Sequence, residues 1–133
     1  MLDNSPLIIS TKNPLAKQFR KLHQAKERRR QHVFLLEGTH LLQEACAVEY
    51  PLLQVAMTES WWRTHGDLCA QIQGLASDIR LVSPEVLCSM CTTVSPDGVV
   101  AIAQRGIKST LDSAAVSLGV VLERLQDPGN LGT

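Results

Sequence analysis

Long apolar runs are missing from this chain of 133 residues, and so is a basic-then-apolar amino terminus. Nothing approaches the roughly 20 apolar residues of a membrane span, and no secretory leader is evident. The expectation is a cytoplasmic protein with no membrane partner. Cysteine is sparse: Cys46, Cys69, Cys88 and Cys91 are too few and too irregular for a disulfide framework. Cys88 and Cys91 form a C-x-x-C with no second pair at zinc spacing, and only His65 lies near Cys69. No metal site is expected, and buried, reduced thiols are the better reading. Aromatic residues amount to only 4%. Net charge is absent too, with 13 basic against 13 acidic residues. A hydrophobic share of 44% nevertheless excludes disorder and suffices for one well-buried domain.

The zero net charge conceals an asymmetry. Eight of the thirteen basic residues lie in residues 1–32 beside only Asp3 and Glu27, a net of +6, and the remainder carries −6. A local basic face attracts polyanions whatever the whole-chain pI. Asn13 and Pro14 open a helix as N-cap and first helical residue. From there Leu15, Phe19, Leu22 and Ala25 mark a narrow apolar stripe. A single helix from Pro14 to about Arg30 is expected, roughly 25 Å long. Lys17, Arg20, Lys21, Lys26 and Arg28-Arg29-Arg30 occupy the rest of its circumference. These cations either neutralise phosphates or form a solvated face; an interface for an acidic protein is a third possibility. Phe19 belongs to the packed stripe, so this helix alone gives no support for reading unpaired bases.

Downstream, short apolar runs alternate with helical patterns, the signature of an α/β domain layered on a central sheet. Strands are expected at Val33–Leu36, Leu52–Met57, Ile79–Val82 and Val99–Ala103. The first is read as buried. Thr39 is expected to cap a helix packed through Leu41, Leu42, Ala45, Cys46 and Val48, which Tyr50-Pro51 ends. Ser60 is expected to cap a helix to about Ile72, and Ser83-Pro84-Glu85 a brief one containing Val86, Leu87 and Met90. Ser95-Pro96-Asp97-Gly98 is a turn, and residues 104–115 look like a linker.

Three further features bear on chemistry. Glu37-Gly38-Thr39-His40 sits at a strand-to-helix junction, where a capped turn is favoured over an acid/base pair of Glu37 and His40. Trp61 and Trp62 point in different directions on a helix, one packed and one partly exposed. Finally, Val120-Val121-Leu122 leads into Asp127-Pro128-Gly129-Asn130, a buried strand delivering a tight turn. Such carboxyl-terminal strand ends gather ligands in α/β sheets. The sequence stops inside this motif, so the chain is expected to be a piece of something longer.

Several of these segments, taken in order, resemble the SpoU-class (TrmH-like) RNA 2′-O-methyltransferases. Ile9-Ser10, Asn13-Pro14, Lys17, Leu22, Lys26, Arg28 and Phe34-Leu35 with Glu37-Gly38 are similar to the family's opening. Thr93 with Pro96-Asp97-Gly98-Val99-Val100-Ala101 is similar to the end of its substrate-binding domain. Val121-Leu122 through Asp127-Pro128-Gly129-Asn130-Leu131-Gly132-Thr133 is similar to its first catalytic motif.

The resemblance implies an L30e-like α/β domain over residues 6–104, three layers around a central mixed sheet, gripping rRNA or tRNA. A linker at 105–115 would lead to the first strand of a SPOUT (trefoil-knot) domain at 116–133. That domain binds S-adenosylmethionine, forms a homodimer and moves a methyl group to a ribose 2′-hydroxyl. Asn130 would stand at the catalytic pocket, with the family's arginine lying beyond Thr133. Residues 1–133 alone are therefore expected to bind RNA but neither the cofactor nor a metal, and not to catalyse. Lys12, Lys17, Lys21, Lys26, Arg28, Arg29 and Arg30 are the expected RNA-binding residues, with an intramolecular Arg28–Glu37 pair as the structural alternative. The competing function is a stand-alone, non-catalytic L30e-like RNA-binding protein.

Overall fold

The four apolar runs form one sheet: β1 (Val33–Glu37), β2 (Leu52–Met57), β3 (Ile79–Leu81) and β4 (Val99–Gln104). A computed structural model of the chain describes residues 6–106, 117–120 and 123. Strand order is β1-β4-β2-β3. β4 runs antiparallel to both β1 and β2, while β3 lies parallel to β2, so the sheet is mixed. Ile8 extends the β3 side by a parallel bridge to Val82.

Six helices complete the described fold: α1 (Pro14–Lys21), α2 (Ala25–Gln31), α3 (Thr39–Ala47), α4 (Glu59–Thr64), α5 (Gly66–Leu75) and α6 (Pro84–Met90). Parallel strands need a crossover, and α4 with α5 supplies it between β2 and β3. Strand side chains alternate between faces, and the two cores follow that period. Val99, Ala101 and Ala103 of β4 join Leu42 of α3, Trp61 of α4 and Ile72 of α5 in one core. Val100 and Ile102 join Phe19 of α1 and Val86, Leu87 and Met90 of α6 in the other. Helices thus cover both faces of the sheet, making three layers.

The strands, α6 and its Ser83 N-cap lie where the apolar runs and turn residues put them. The helix expected from Pro14 to Arg30 is instead two helices, because residues 22–24 turn away after Lys21. Likewise the helix expected from Ser60 to Ile72 is split at His65, and its N-cap is Thr58, whose hydroxyl accepts the Trp61 N–H at 3.2 Å. Gly38 with φ of 97° is the N-cap of α3, so Thr39 is its first residue. Leu41 and Val48 are exposed, leaving Leu42, Ala45 and Cys46 as the packed face. Only Val33 and Leu36 of β1 are fully buried, since β1 is an edge strand. All four cysteines are free, and Cys88 is exposed where a buried thiol was expected. The rest of the linker beyond Gly106, and Val121, Leu122 and the turn running to Asn130, lie outside the described residues; Val120, expected to open a buried strand, is exposed and outside any strand.

Gly98 fixes the entry to β4. Its φ is 114°, and a Cβ there would stand 2.9 Å from Trp61 Cβ and 3.1 Å from Thr58 Oγ1. Backbone strain and steric overlap therefore act together. Gly98→Ala is expected to destabilise the domain by about 2–4 kcal/mol, measured as a lower urea midpoint with an unchanged m-value; an unchanged midpoint would contradict this packing.

Candidate nucleic-acid interface

The basic segment is held in place by its apolar stripe and by two of its own cations. Asn13 Oδ1 accepts the Leu15 N–H at 2.9 Å, and Pro14 follows in the first turn. Ala16, Phe19 and Leu22 are completely buried, against the layer that includes α6. Arg20 anchors the outer side: its guanidinium donates to Ser89 Oγ at 3.1 Å and to the Thr11 carbonyl at 2.7 Å.

The break between α1 and α2 has a defined cause. Arg28 Nη1 donates to the carbonyls of Leu22 at 2.7 Å and His23 at 2.8 Å, groups that a helix end leaves without intrahelical partners. The Met90 carbonyl lies 2.9 Å from His23 Nε2; a carbonyl only accepts, so Nε2 carries the proton. α2 then ends at His32, which has a left-handed φ of 53°.

The seven expected RNA-binding cations therefore divide into two groups. Arg28 ties the α1–α2 turn, and Arg30 pairs with Glu27 at 2.6 Å. The Arg30 guanidinium beside Glu27 holds that carboxyl below its ordinary range, against desolvation and with help from Gln31 and Lys21. Lys12, Lys17, Lys21, Lys26 and Arg29 are exposed. Among the described residues, none of these five side chains makes a hydrogen bond or an ion pair. Lys17 and Lys21 stand one turn apart on the same side of α1. Arg28 and Glu37 do not pair. Asn130 lies outside the described residues.

Glu37 has another task. Its carboxylate accepts the Thr92 N–H at 2.9 and 3.0 Å, the Thr92 hydroxyl at 2.8 Å and the Thr93 N–H at 3.2 Å. Burial pushes the Glu37 carboxyl up, but these donors outweigh it and hold the group below its ordinary value of 4.5. A carboxylate this weakly basic is poorly suited to proton abstraction near neutral pH. Nearby, Asp97 Oδ2 accepts the Thr39 N–H at 2.8 Å, and Trp61 Nε1 donates to Thr39 Oγ1 at 2.9 Å. His40 is exposed. The junction is thus a staple between β1, α3 and the loop before β4. Sequence reading missed Asp97 as the residue that serves the start of α3, although an acid at a helix amino terminus is a recognisable signal once the loop is placed.

Trp61 is buried and stacks on His65 with ring centroids 4.5 Å apart, while Trp62 is half-buried. Burial raises the Cys91 thiol to about 12, with help from Glu37, Cys88 and Asp97, so it is protonated at neutral pH. Among the described residues no three His, Cys, Asp or Glu side chains are grouped to hold a metal, and no helix is long and apolar enough to cross a membrane.

Among the described residues, the exposed cations form a helical flank on a three-layer α/β domain. Comparison with known proteins places it within a family: residues 13–101 match the MRM3-like substrate binding domain, and the chain belongs to that family. It is 46% identical over 95% of its length to an uncharacterized tRNA/rRNA methyltransferase of Synechocystis, covering 46% of that protein. It is 31% identical over 95% of its length to the Bacillus subtilis 23S rRNA (guanosine(2553)-2′-O)-methyltransferase RlmP, covering 47% of it. The chain thus spans about half the length of these relatives. Among solved structures, an RNA 2′-O ribose methyltransferase superposes with a TM-score of 0.69 at 27% identity, over 96% of this chain and 49% of that one. An AdoMet-bound rRNA methyltransferase from Sinorhizobium meliloti shares the fold, with a TM-score of 0.64 at 21% identity over 76% of this chain and 37% of that one.

The Glu37 staple makes stability depend on acid. A carboxyl whose folded pKa is depressed stabilises above its unfolded value and loses that contribution as pH falls through the folded one. Urea midpoints are expected to decline as pH drops below about 4.5, and Glu37→Gln should make that decline shallower. The same acid dependence in the variant would rule out Glu37 as its source.

Proposed function

We propose that this chain is the RNA-gripping amino-terminal part of an S-adenosylmethionine-dependent rRNA or tRNA ribose 2′-O-methyltransferase. The observation that carries the reading is the set of exposed cations whose side chains make no hydrogen bond or ion pair among the described residues: Lys12, Lys17, Lys21, Lys26 and Arg29. They sit on a domain whose family is named for substrate binding. Arg28 and Arg30 support the same face, holding its shape while adding positive charge. The mixed sheet with helices on both faces supports an L30e-like domain over residues 6–104. On this reading 105–115 is a linker and 116–133 begins a SPOUT domain, the remainder of which supplies the cofactor site and the homodimer contact.

A ribose 2′-hydroxyl is a weak nucleophile at neutral pH, so the enzyme must polarise it and hold it in line with the methyl donor. None of the described residues is assigned to that step or to the cofactor. Asn130 is proposed at the catalytic pocket, with an arginine beyond Thr133. Residues 1–133 by themselves would hold RNA without methylating it, and the cytoplasm is the proposed compartment. A stand-alone L30e-like RNA-binding protein is the competing reading, and the methyltransferase names of both relatives run against it.

Fluorescence anisotropy with RNA across a salt series separates phosphate binding from a solvated face. Affinity should fall linearly on a log–log plot, and Lys17→Ala with Lys21→Ala should reduce the slope by about 0.7–0.9 for each phosphate no longer neutralised. Arg29→Ala should weaken binding while stability stays within about 0.5 kcal/mol. Arg28→Ala should cost about 1–3 kcal/mol of stability, since two carbonyls lose their donor. Affinity indifferent to salt and to the lysine and Arg29 changes would overturn the proposal.

A further inference from the structure

β2 carries one residue more than the strand beside it. Leu52 pairs with Ala103 and Gln54 with Ile102, so Leu53 is an extra residue, a β-bulge. Strand side chains alternate between faces. Without the bulge Gln54 would share the face of Leu52, which packs in the α3–α5 core. The bulge turns it instead to the α1–α6 face, where it lines a cleft with Ile8 and Leu15, both packed on that core. There Gln54 Oε1 is sealed from solvent and has no hydrogen-bond partner. An orphaned acceptor is destabilising, and an apolar side chain at this position would avoid it.

The cleft has a volume of about 470 Å³. Asp78 stands beside Gln54 across the β2–β3 pair, since Val55 pairs with Ile79 and its N–H donates to the Asp78 carbonyl at 2.9 Å. Asp78 Oδ1 accepts Arg80 Nε at 2.8 Å, and a carboxylate has lone pairs for further donors. Ile8, Pro14 and Leu15 make the walls apolar. Asn13 lies at the rim with its Oδ1 given to the Leu15 N–H, so its amide nitrogen is the end left to donate. Pro14 and Gln18 also line the cleft, and each stands one turn from an exposed lysine, Lys17 and Lys21.

We propose that this cleft takes a single guanine base turned out of the RNA. The guanine N1–H and 2-amino group donate to the Asp78 carboxylate, and O6 accepts from the Gln54 amide. The ring packs on the apolar walls, and the flanking phosphates meet Lys17 and Lys21. The inference rests on the RNA-gripping reading above and adds to it the base that is read. Extruded bases are recognised by hydrogen bonds to their pairing edge and by packing of their faces on apolar side chains. Guanine has two adjacent donors on that edge, which match a carboxylate. Adenine and cytosine place an acceptor beside their one amino group, and uracil offers a single ring N–H. The sealed Oε1 agrees with this assignment: with the oxygen in the wall, the amide nitrogen of Gln54 is the end that can meet a ligand carbonyl.

The test measures anisotropy of the full chain with a short fluorescent oligouridine carrying one central guanosine, inosine (which lacks the 2-amino group) or adenosine. The guanosine strand should bind about tenfold tighter than the adenosine strand, with the inosine strand between them. Asp78→Asn and Gln54→Leu should each erase that preference and leave the salt slope unchanged, because no phosphate contact is lost. Gln54→Leu also removes the orphaned acceptor, so its urea midpoint should not fall. A preference kept in both variants overturns the cleft. Equal wild-type affinity for all three strands, with salt dependence intact, overturns the guanine and leaves the RNA-gripping reading standing. If the wild-type chain shows no salt-dependent RNA binding, both fall. Guanosine monophosphate binding as tightly as the guanosine strand would overturn RNA as the source in favour of a free nucleotide. In the wild-type chain the guanosine strand should shift the Gln54 side-chain amide resonances and an all-uridine strand should not. Unmoved resonances overturn the site whatever the variants do.

Discussion

Both cores of this domain are built on one strand. Val99 to Ala103 in β4 are all essentially sealed from solvent, and their side chains alternate between the α3–α5 layer and the α1–α6 layer. The strand is also hydrogen-bonded on both sides, by β1 and by β2. A run of small and β-branched residues is what such a position requires, because neither face has room or solvent for anything else. Where β4 begins therefore matters. Gly98 brings the chain hard against Trp61, and Asp97 meets the start of α3.

That anchored sheet explains why the cationic segment can sit as two short helices. Isolated helices of seven or eight residues are not stable in water. α1 survives because Phe19 is sealed in the core under α6. α2 has no buried residue at all, and its position is set by Arg28 reaching back to the end of α1 and by the left-handed turn at His32 into β1. Fixing α2 beside the edge of β1 puts Arg28 and Arg29 next to Val33 and Arg105. One arginine is thus consumed in shaping a surface that its neighbour leaves open to an anion.

The strands were legible because each apolar run is short and bounded by Gly, Pro or charged residues. α6 was legible because Ser83-Pro84 is an unambiguous start. The α1–α2 break was not, since no Gly or Pro interrupts residues 15–30 and the apolar spacing runs on to Ala25. Its causes are tertiary: Arg28 on the carbonyls of Leu22 and His23, and His23 on Met90. At 58–75 a local signal existed in Gly66, but the split depends on His65 lying flat on Trp61. Of the interface, the concentration of positive charge was readable along the chain. The division into anchoring and open cations was not, and Arg105 joins the cluster only through its pairing beside His32.

The central claim is that RNA meets the side of the domain formed by α1 and α2. Ultraviolet cross-linking of bound RNA followed by mass spectrometry of the peptide adducts tests it directly. Adducts are expected on peptides within residues 12–36. Adducts confined to α4 and α5, on the opposite layer, would contradict it.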